Sequence, residues 1–326
     1  MRLLAKLVPI FSVFYIANSS AAANKSPRAN ITRQDIAGGG PPNLKSQLIL
    51  SKDSGKQLRL VSFLQHLEVS FFEENIRKLE RWNEGENLNA SVEVLKTISA
   101  QASVHLSTLD DLLAGTGSEP INCDYSFSVD SITEFLEVAD TITSIGVGAT
   151  IGINERLDRS DSLLLRLVAS ITAVKARHNA IIRLFRQLTA NPAPFDTYIT
   201  DISAFNLALN YIRPGSCSSE LLLPILPRLN VSCITDSGTT RKQFSWNPEQ
   251  EAFIVEAGKE LLIGWVNQLD TPIYTPLNVS GNGVGTVDIP GCLIGATFAS
   301  ITTQRLIDSE DLALSSLTAP VAVLLV

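Results

Sequence analysis

Residues 161–187 read DSLLLRLVASITAVKARHNAIIRLFRQ. Leu164, Val168, Ile171, Val174, His178, Ile181 and Phe185 recur every three or four residues, which places them on one face of a helix. Asp161 is a candidate N-cap, and Asn191-Pro192 closes the run. At 1.5 Å per residue such a helix is roughly 40 Å long, enough for a bundle. His178 sits in the middle of the apolar seam, and Lys175 lies three residues before it.

Three further helices of the same kind precede it. Residues 53–82 carry the stripe Leu60, Leu64, Leu67, Phe71 and Ile76, with Arg77, Lys78 and Arg81 suited to the end of the dipole. Residues 89–113 carry Val94, Leu95, Ile98, Ala102, His105, Leu109 and Leu112, and Gly115 and Gly117 end that helix. Residues 131–154 carry Ile132, Phe135, Leu136, Ala139, Ile142, Ile145 and Ala149. The connection 118–130 between the second and third is long enough to cross a bundle instead of turning straight back. A short fifth helix is predicted over 197–212. Gly146, Gly148 and Gly152 follow a Gly-x-Gly-x-x-x-Gly spacing, one residue too long for a dinucleotide fingerprint and with no strand before it. They are read as points of close packing between helices.

After Pro214 the character changes. Prolines and glycines punctuate short apolar runs, and 253–255, 261–266, 285–289, 293–302 and 321–326 read as strands. The fold class predicted is therefore multi-domain α+β. A four-helix bundle with a long crossover and a short fifth helix (48–214) is followed by a small β-sandwich-like domain (215–326). The closing apolar run 319–326 lacks the polar spacer of a lipid-anchor signal and is read as a final strand.

The start of the chain reads as a processing segment. Arg2 and Lys6 precede an apolar stretch, and Ala21-Ala22-Ala23 offers a cleavage site, the plan of a secretory signal peptide over 1–23. Residues 24–47, with Gly38-Gly39-Gly40-Pro41-Pro42, are expected to be a disordered lead-in. No later stretch is expected to approach the ~20 apolar residues a spanning helix needs, so the mature chain would be secreted, to the extracellular space or the cell wall. Removing the leader takes away two cations and no anion, moving the net charge from −7 to −9. An acidic chain without a Lys/Arg cluster argues against a nucleic-acid partner. Asn24, Asn30, Asn89, Asn230 and Asn278 each begin an Asn-x-Ser/Thr sequon, with Asn24 weakened by Pro27; the other four are candidate glycan acceptors.

From about Leu58 to Gln187 the chain resembles the secreted ferritin-like domain proteins of fungi, of the late sexual development or stress-response type, and more distantly plant desiccation-related proteins. The resemblance rests on Leu-x-x-Leu-Glu-Val-x-Phe-Phe (64–72), Cys-x-Tyr-x-Phe (123–127), Ile-Gly-Val-Gly-Ala (145–149) and Ala-Arg-His-Asn-Ala (176–180), in that order. It extends to Ser216-Cys217 and a β tail. In iron-binding bundles of this fold, two helices each supply a glutamate and two each supply Glu-x-x-His. Carried onto this chain, those positions fall on Gln65, on Ala102 with His105, on Thr143, and on Lys175 with His178. All four carboxylates are absent and both histidines remain. Iron requires anionic oxygen ligands in a dry core, which an amide, a methyl, a hydroxyl and an ammonium do not supply.

The resemblance thus implies a degenerate metal site and no resident cofactor. Lys175 either fills the cation's place and pairs with a carboxylate such as Glu68, or snorkels to solvent; the sequence leaves both open. His105 and His178 are read first as satisfied core histidines. They are the residual candidates should iron or another transition metal bind. No Gly-x-Ser-x-Gly or His-Glu-x-x-His is present, and no catalytic residue is assigned. Four cysteines can pair in three ways. Cys123 follows the second helix and Cys217 the fifth, and these are expected to join, leaving Cys233 to Cys292. The function expected is a non-catalytic binding or structural role at the cell exterior, toward a protein or cell-wall component, in development, stress or host contact. The alternative is a metal-binding protein or metal-dependent oxidase of the same fold.

Overall fold

A computed structural model describes residues 31–43, 50–82, 89–157, 161–233, 241–250 and 259–325. The signal-peptide segment, Asn24, Asn30 and the strand expected at 253–255 lie outside the described residues. The helices are α1 (Arg33–Ala37), α2 (Lys52–Trp82), α3 (Asn89–Gly115), α4 (Ile132–Arg156), α5 (Ser162–Phe185), α6 (Asp201–Leu209) and α7 (Ser309–Ser315). The strands are β1 (Leu229–Cys233), β2 (Arg241–Trp246), β3 (Leu262–Asn267), β4 (Ile273–Pro276), β5 (Asn278–Gly281), β6 (Val284–Asp288), β7 (Gly295–Thr302) and β8 (Val321–Leu325).

Helices α2 to α5 form the bundle. α2 packs on α3 and α4, and α5 packs on α4 and α3. The two helices joined by the crossover, α3 and α4, therefore stand at opposite corners, which is why that connection is long. Its middle is held to the chain after α6: Ser126 N–H donates to Tyr211 O at 2.9 Å and Arg213 N–H to Asp124 O at 2.9 Å. A Cys123–Cys217 disulfide closes the same junction. Phe71 lies beneath it, stacked on Phe135 at 5.1 Å and edge-on to Phe127 at 5.2 Å. α4 begins at a Ser131 cap that accepts from Glu134 N–H at 3.2 Å. Among the described residues α4 alone is long and apolar enough to cross a membrane, contrary to the expectation that no such stretch follows the leader. In this fold 72 % of that stretch is buried inside the protein, because α4 is in contact with α2, α5 and α6.

Two four-stranded antiparallel sheets, ordered β1-β2-β6-β5 and β4-β3-β7-β8, enclose a second core. Trp265 and Phe244 meet edge-on at its centre, 5.9 Å apart. The Trp265 indole N–H donates to Thr275 Oγ1 at 2.7 Å, so its one polar atom is satisfied. Bundle and sandwich pack into one compact unit from Arg33 to Val326.

Three local expectations change. α1 lies inside the stretch read as disordered, where α3 and an Arg33–Glu73 ion pair of 2.6 Å hold it. The fifth helix is shorter than predicted, because residues 197–200 are extended and Thr200 caps α6 by accepting from Ser203 N–H at 3.1 Å. The Cys233–Cys292 bridge is absent. Cys292 is a free, exposed thiol, and the side chain of Cys233 lies outside the described residues. β2 separates β1 from β6, which leads to Cys292. Two strand spacings of about 4.8 Å exceed the usual Cα–Cα reach of a disulfide.

Candidate functional site

Four helices converge on a polar cluster within the bundle. α2 supplies Gln65 and, one turn on, Glu68, both sealed from solvent. α5 supplies Lys175, also buried, and its ammonium donates to Glu68 Oε2. Gln65 Nε2 donates to the same carboxylate oxygen at 3.1 Å and to Ala102 O of α3 at 3.1 Å. Glu68 Oε2 thus accepts from an ammonium and an amide together. The lane for the lysine is made by α4: a Cβ on Gly146 would stand 3.3 Å from Lys175 Nζ and 3.4 Å from its Cδ. The lysine therefore pairs and does not snorkel.

The two imidazoles flank this pair. His178 Nε2 lies 2.7 Å from Gln101 Oε1. The amide nitrogen of Gln101 is used on Ala37 O of α1 at 3.2 Å, so Oε1 is the acceptor and His178 carries its proton on Nε2. Burial, and next the Lys175 charge, lower the His178 pKa to about 3. The same two causes lower His105 to about 4, against a smaller opposing pull from Glu68. Both rings are neutral at pH 7. Among the described residues, Nδ1 of each has no hydrogen-bond partner, nor do Glu68 Oε1 and Gln65 Oε1. His66 faces elsewhere, with Nε2 3.2 Å from Asp110 Oδ2.

Thr143, carried over as a ligand position, belongs to a different cluster. Its hydroxyl donates to Ala139 O at 2.7 Å and accepts from Asn179 Nδ2 at 2.9 Å. That amide also binds Asp140 Oδ1 at 2.8 Å. Asp140, fully buried, is paired with Arg186 and lies 3.7 Å from Arg183 Nη1. Sequence reading missed this cluster and Gln101. The available signals were Asp140 and Ser144 one turn apart on α4, and Asn179 and Arg183 one turn apart on α5.

Residues 56–188 match the family model described as a ferritin-like domain. The bundle is a ferritin-like domain. No curated protein sequence matches the chain. Among solved structures, Dps from Listeria monocytogenes is 13 % identical with a TM-score of 0.37, covering 44 % of this chain and 99 % of its own. A mutant of Dps1 from Mycobacterium smegmatis is 14 % identical with a TM-score of 0.34, covering 42 % of this chain and 99 % of its own.

The residues of this ferritin-like bundle do not fit the metal centre that the fold implies. Among the described residues, no group of three His, Cys, Asp or Glu is placed to hold a metal ion. The one carboxylate of the cluster is already engaged by Lys175 and Gln65. A divalent cation there would meet the ammonium at short range, a repulsion of several kcal/mol even at an effective dielectric near 20. What the arrangement does chemically is close the core: a fixed cation and its counter-ion join α5 to α2.

Proposed function

We propose that this protein is a secreted ferritin-like protein of the fungal type, without di-iron chemistry, that acts as a binding or structural component at the cell exterior. The observation that carries the reading is the Lys175 ammonium seated on Glu68 among the positions where the fold's metal ligands would stand. The leader-like 1–23 and the surface sequons support export. The acidic chain and the β-sandwich joined to the bundle support a protein or cell-wall partner over a nucleic acid. Purified protein given Fe(II) in air tests it: no stoichiometric iron and no oxidation above the blank are expected. Two irons per chain with accelerated oxidation would overturn it.

One observation favours a second reading, metal binding without oxidase activity. Among the described residues, the Nδ1 atoms of His105 and His178 are buried, neutral and without a partner, the form in which imidazole binds zinc or copper. Titration with Zn(II) and Cu(II) separates the two. A one-to-one isotherm abolished by His178→Ala would favour the second.

A further inference from the structure

The four outer strands of the sandwich are guarded in different ways. An edge strand exposes unpaired N–H and C=O groups and invites pairing with another chain. In the β4-β3-β7-β8 sheet, β4 is four residues long, preceded by Pro272 and ended by Pro276, and β8 packs against α4. In the other sheet the edges, among the described residues, are β1 and β5. Neither carries a charged residue or a proline: they read Leu-Asn-Val-Ser-Cys and Asn-Val-Ser-Gly. Each carries one complete sequon, Asn230-Val231-Ser232 and Asn278-Val279-Ser280.

Register places both asparagines on one face. Asn230 is paired with Ser245 and Asn278 with Thr286, and directly opposed residues in an antiparallel pair share a face. Thr286 is opposite Gln243, which is two residues from Ser245 and so on the same side of β2. The other side of β2, with Phe244 and Trp246, is buried in the sandwich core. Asn230 and Asn278 are both exposed. They stand on the outer face at its two borders, three strand spacings or about 14 Å apart.

We infer that Asn230 and Asn278 carry N-glycans that flank this sheet and block strand pairing at the two edges that are open among the described residues. The inference rests on the secretion part of the proposed function. The reaction joins the asparagine amide nitrogen to a sugar donated from a lipid-linked oligosaccharide, with the lipid pyrophosphate leaving.

The full chain is produced in a secretory eukaryotic host, once with its own residues 1–23 and once with a heterologous leader in their place. Enzymatic release of glycans leaves aspartate at each occupied asparagine, which peptide mass mapping reads. Occupancy of both sites is expected. The folded glycoprotein is then stripped and sedimented beside the untreated sample, and the stripped chain should show at least a doubling of average mass at matched concentration. A Ser232→Ala/Ser280→Ala variant, which keeps both asparagines, should do the same. Bare Asn230 or Asn278 on the chain carrying the heterologous leader would overturn the inference, as would identical sedimentation after stripping. Retention of only the chain with its own leader would instead overturn the secretion reading and leave the competence of the two sites standing.

Discussion

Lys175 on α5 donates to Glu68 on α2 with both side chains enclosed, at 3 % and 2 % exposure. The pair is 107 residues apart in sequence and holds opposite corners of the bundle together. Removing one member leaves the other charged and buried, whereas removing both leaves an apolar core with a small packing defect. Lys175→Met or Glu68→Leu alone is expected to cost about 3–5 kcal/mol. Lys175→Met with Glu68→Leu should recover most of that loss. Urea unfolding of the four proteins measures the cycle; single variants within 1 kcal/mol of the parent, roughly a surface pair's worth, would refute the buried pairing.

The same geometry indicates how metal binding could be introduced. Ala102→Glu and Lys175→Glu place Glu-x-x-His on both α3 and α5 while freeing Glu68 from its ammonium. The double variant is expected to be less stable than the parent without metal, because carboxylates then crowd one core. It should bind Co(II) with a visible absorption band and a raised Tm, while the parent shows neither. A double variant that folds but ignores Co(II) would show that the helices do not converge as described.

Acid should weaken the fold through the two imidazoles. Their folded pKa values, about 4 for His105 and about 3 for His178, lie below the ordinary imidazole value of 6.5, chiefly because of burial. Between 6.5 and those values the unfolded chain binds more protons than the folded one, so stability falls as pH falls. At pH 5 the loss is about 2 kcal/mol for each ring relative to pH 8. Denaturation at both pH values checks this, and His178→Gln should remove about half of the dependence. An unchanged dependence in that variant would mean that His178 is not the titrating group.

Three helical glycines should respond differently to alanine. A Cβ at Gly148 would stand 2.4 Å from Thr197 O and at Gly152 2.3 Å from Ile199 O, both backbone atoms of the extended segment before α6. Ile199 N–H also donates to Gly148 O at 3.2 Å. Gly148→Ala and Gly152→Ala are each expected to destabilise by about 1–3 kcal/mol, overpacking outweighing the gain in helix propensity. Gly55 in α2 meets nothing within 4 Å, and Gly55→Ala should stabilise by about 0.5–1 kcal/mol. Thermal denaturation ranks them, and a neutral Gly152→Ala would contradict the close approach.

The glycines show where sequence reading stopped. Their spacing called for close packing, and close packing is found, but for Gly148 and Gly152 the neighbour is an extended segment instead of a helix. Periodicity reports which side of a helix is apolar; it carries no information about what arrives there. Strands β3, β6, β7 and β8 were legible as apolar runs, while β1, β2, β4 and β5, which carry more polar residues, were not. Ala102 and Gln65 do meet, through the Ala102 carbonyl, while Thr143 bonds into the Asp140 cluster.

By itself the sequence determined the four bundle helices and the order of bundle and sandwich. These follow from residue type and short-range spacing, which are local properties of the chain. Only the tertiary structure decided that Lys175 turns inward to Glu68, that Gly146 opens its lane, that Thr143 faces another cluster and that Cys292 stays unpaired. Each depends on elements far apart in sequence arriving at one place, and packing fixes that only once the whole core has closed.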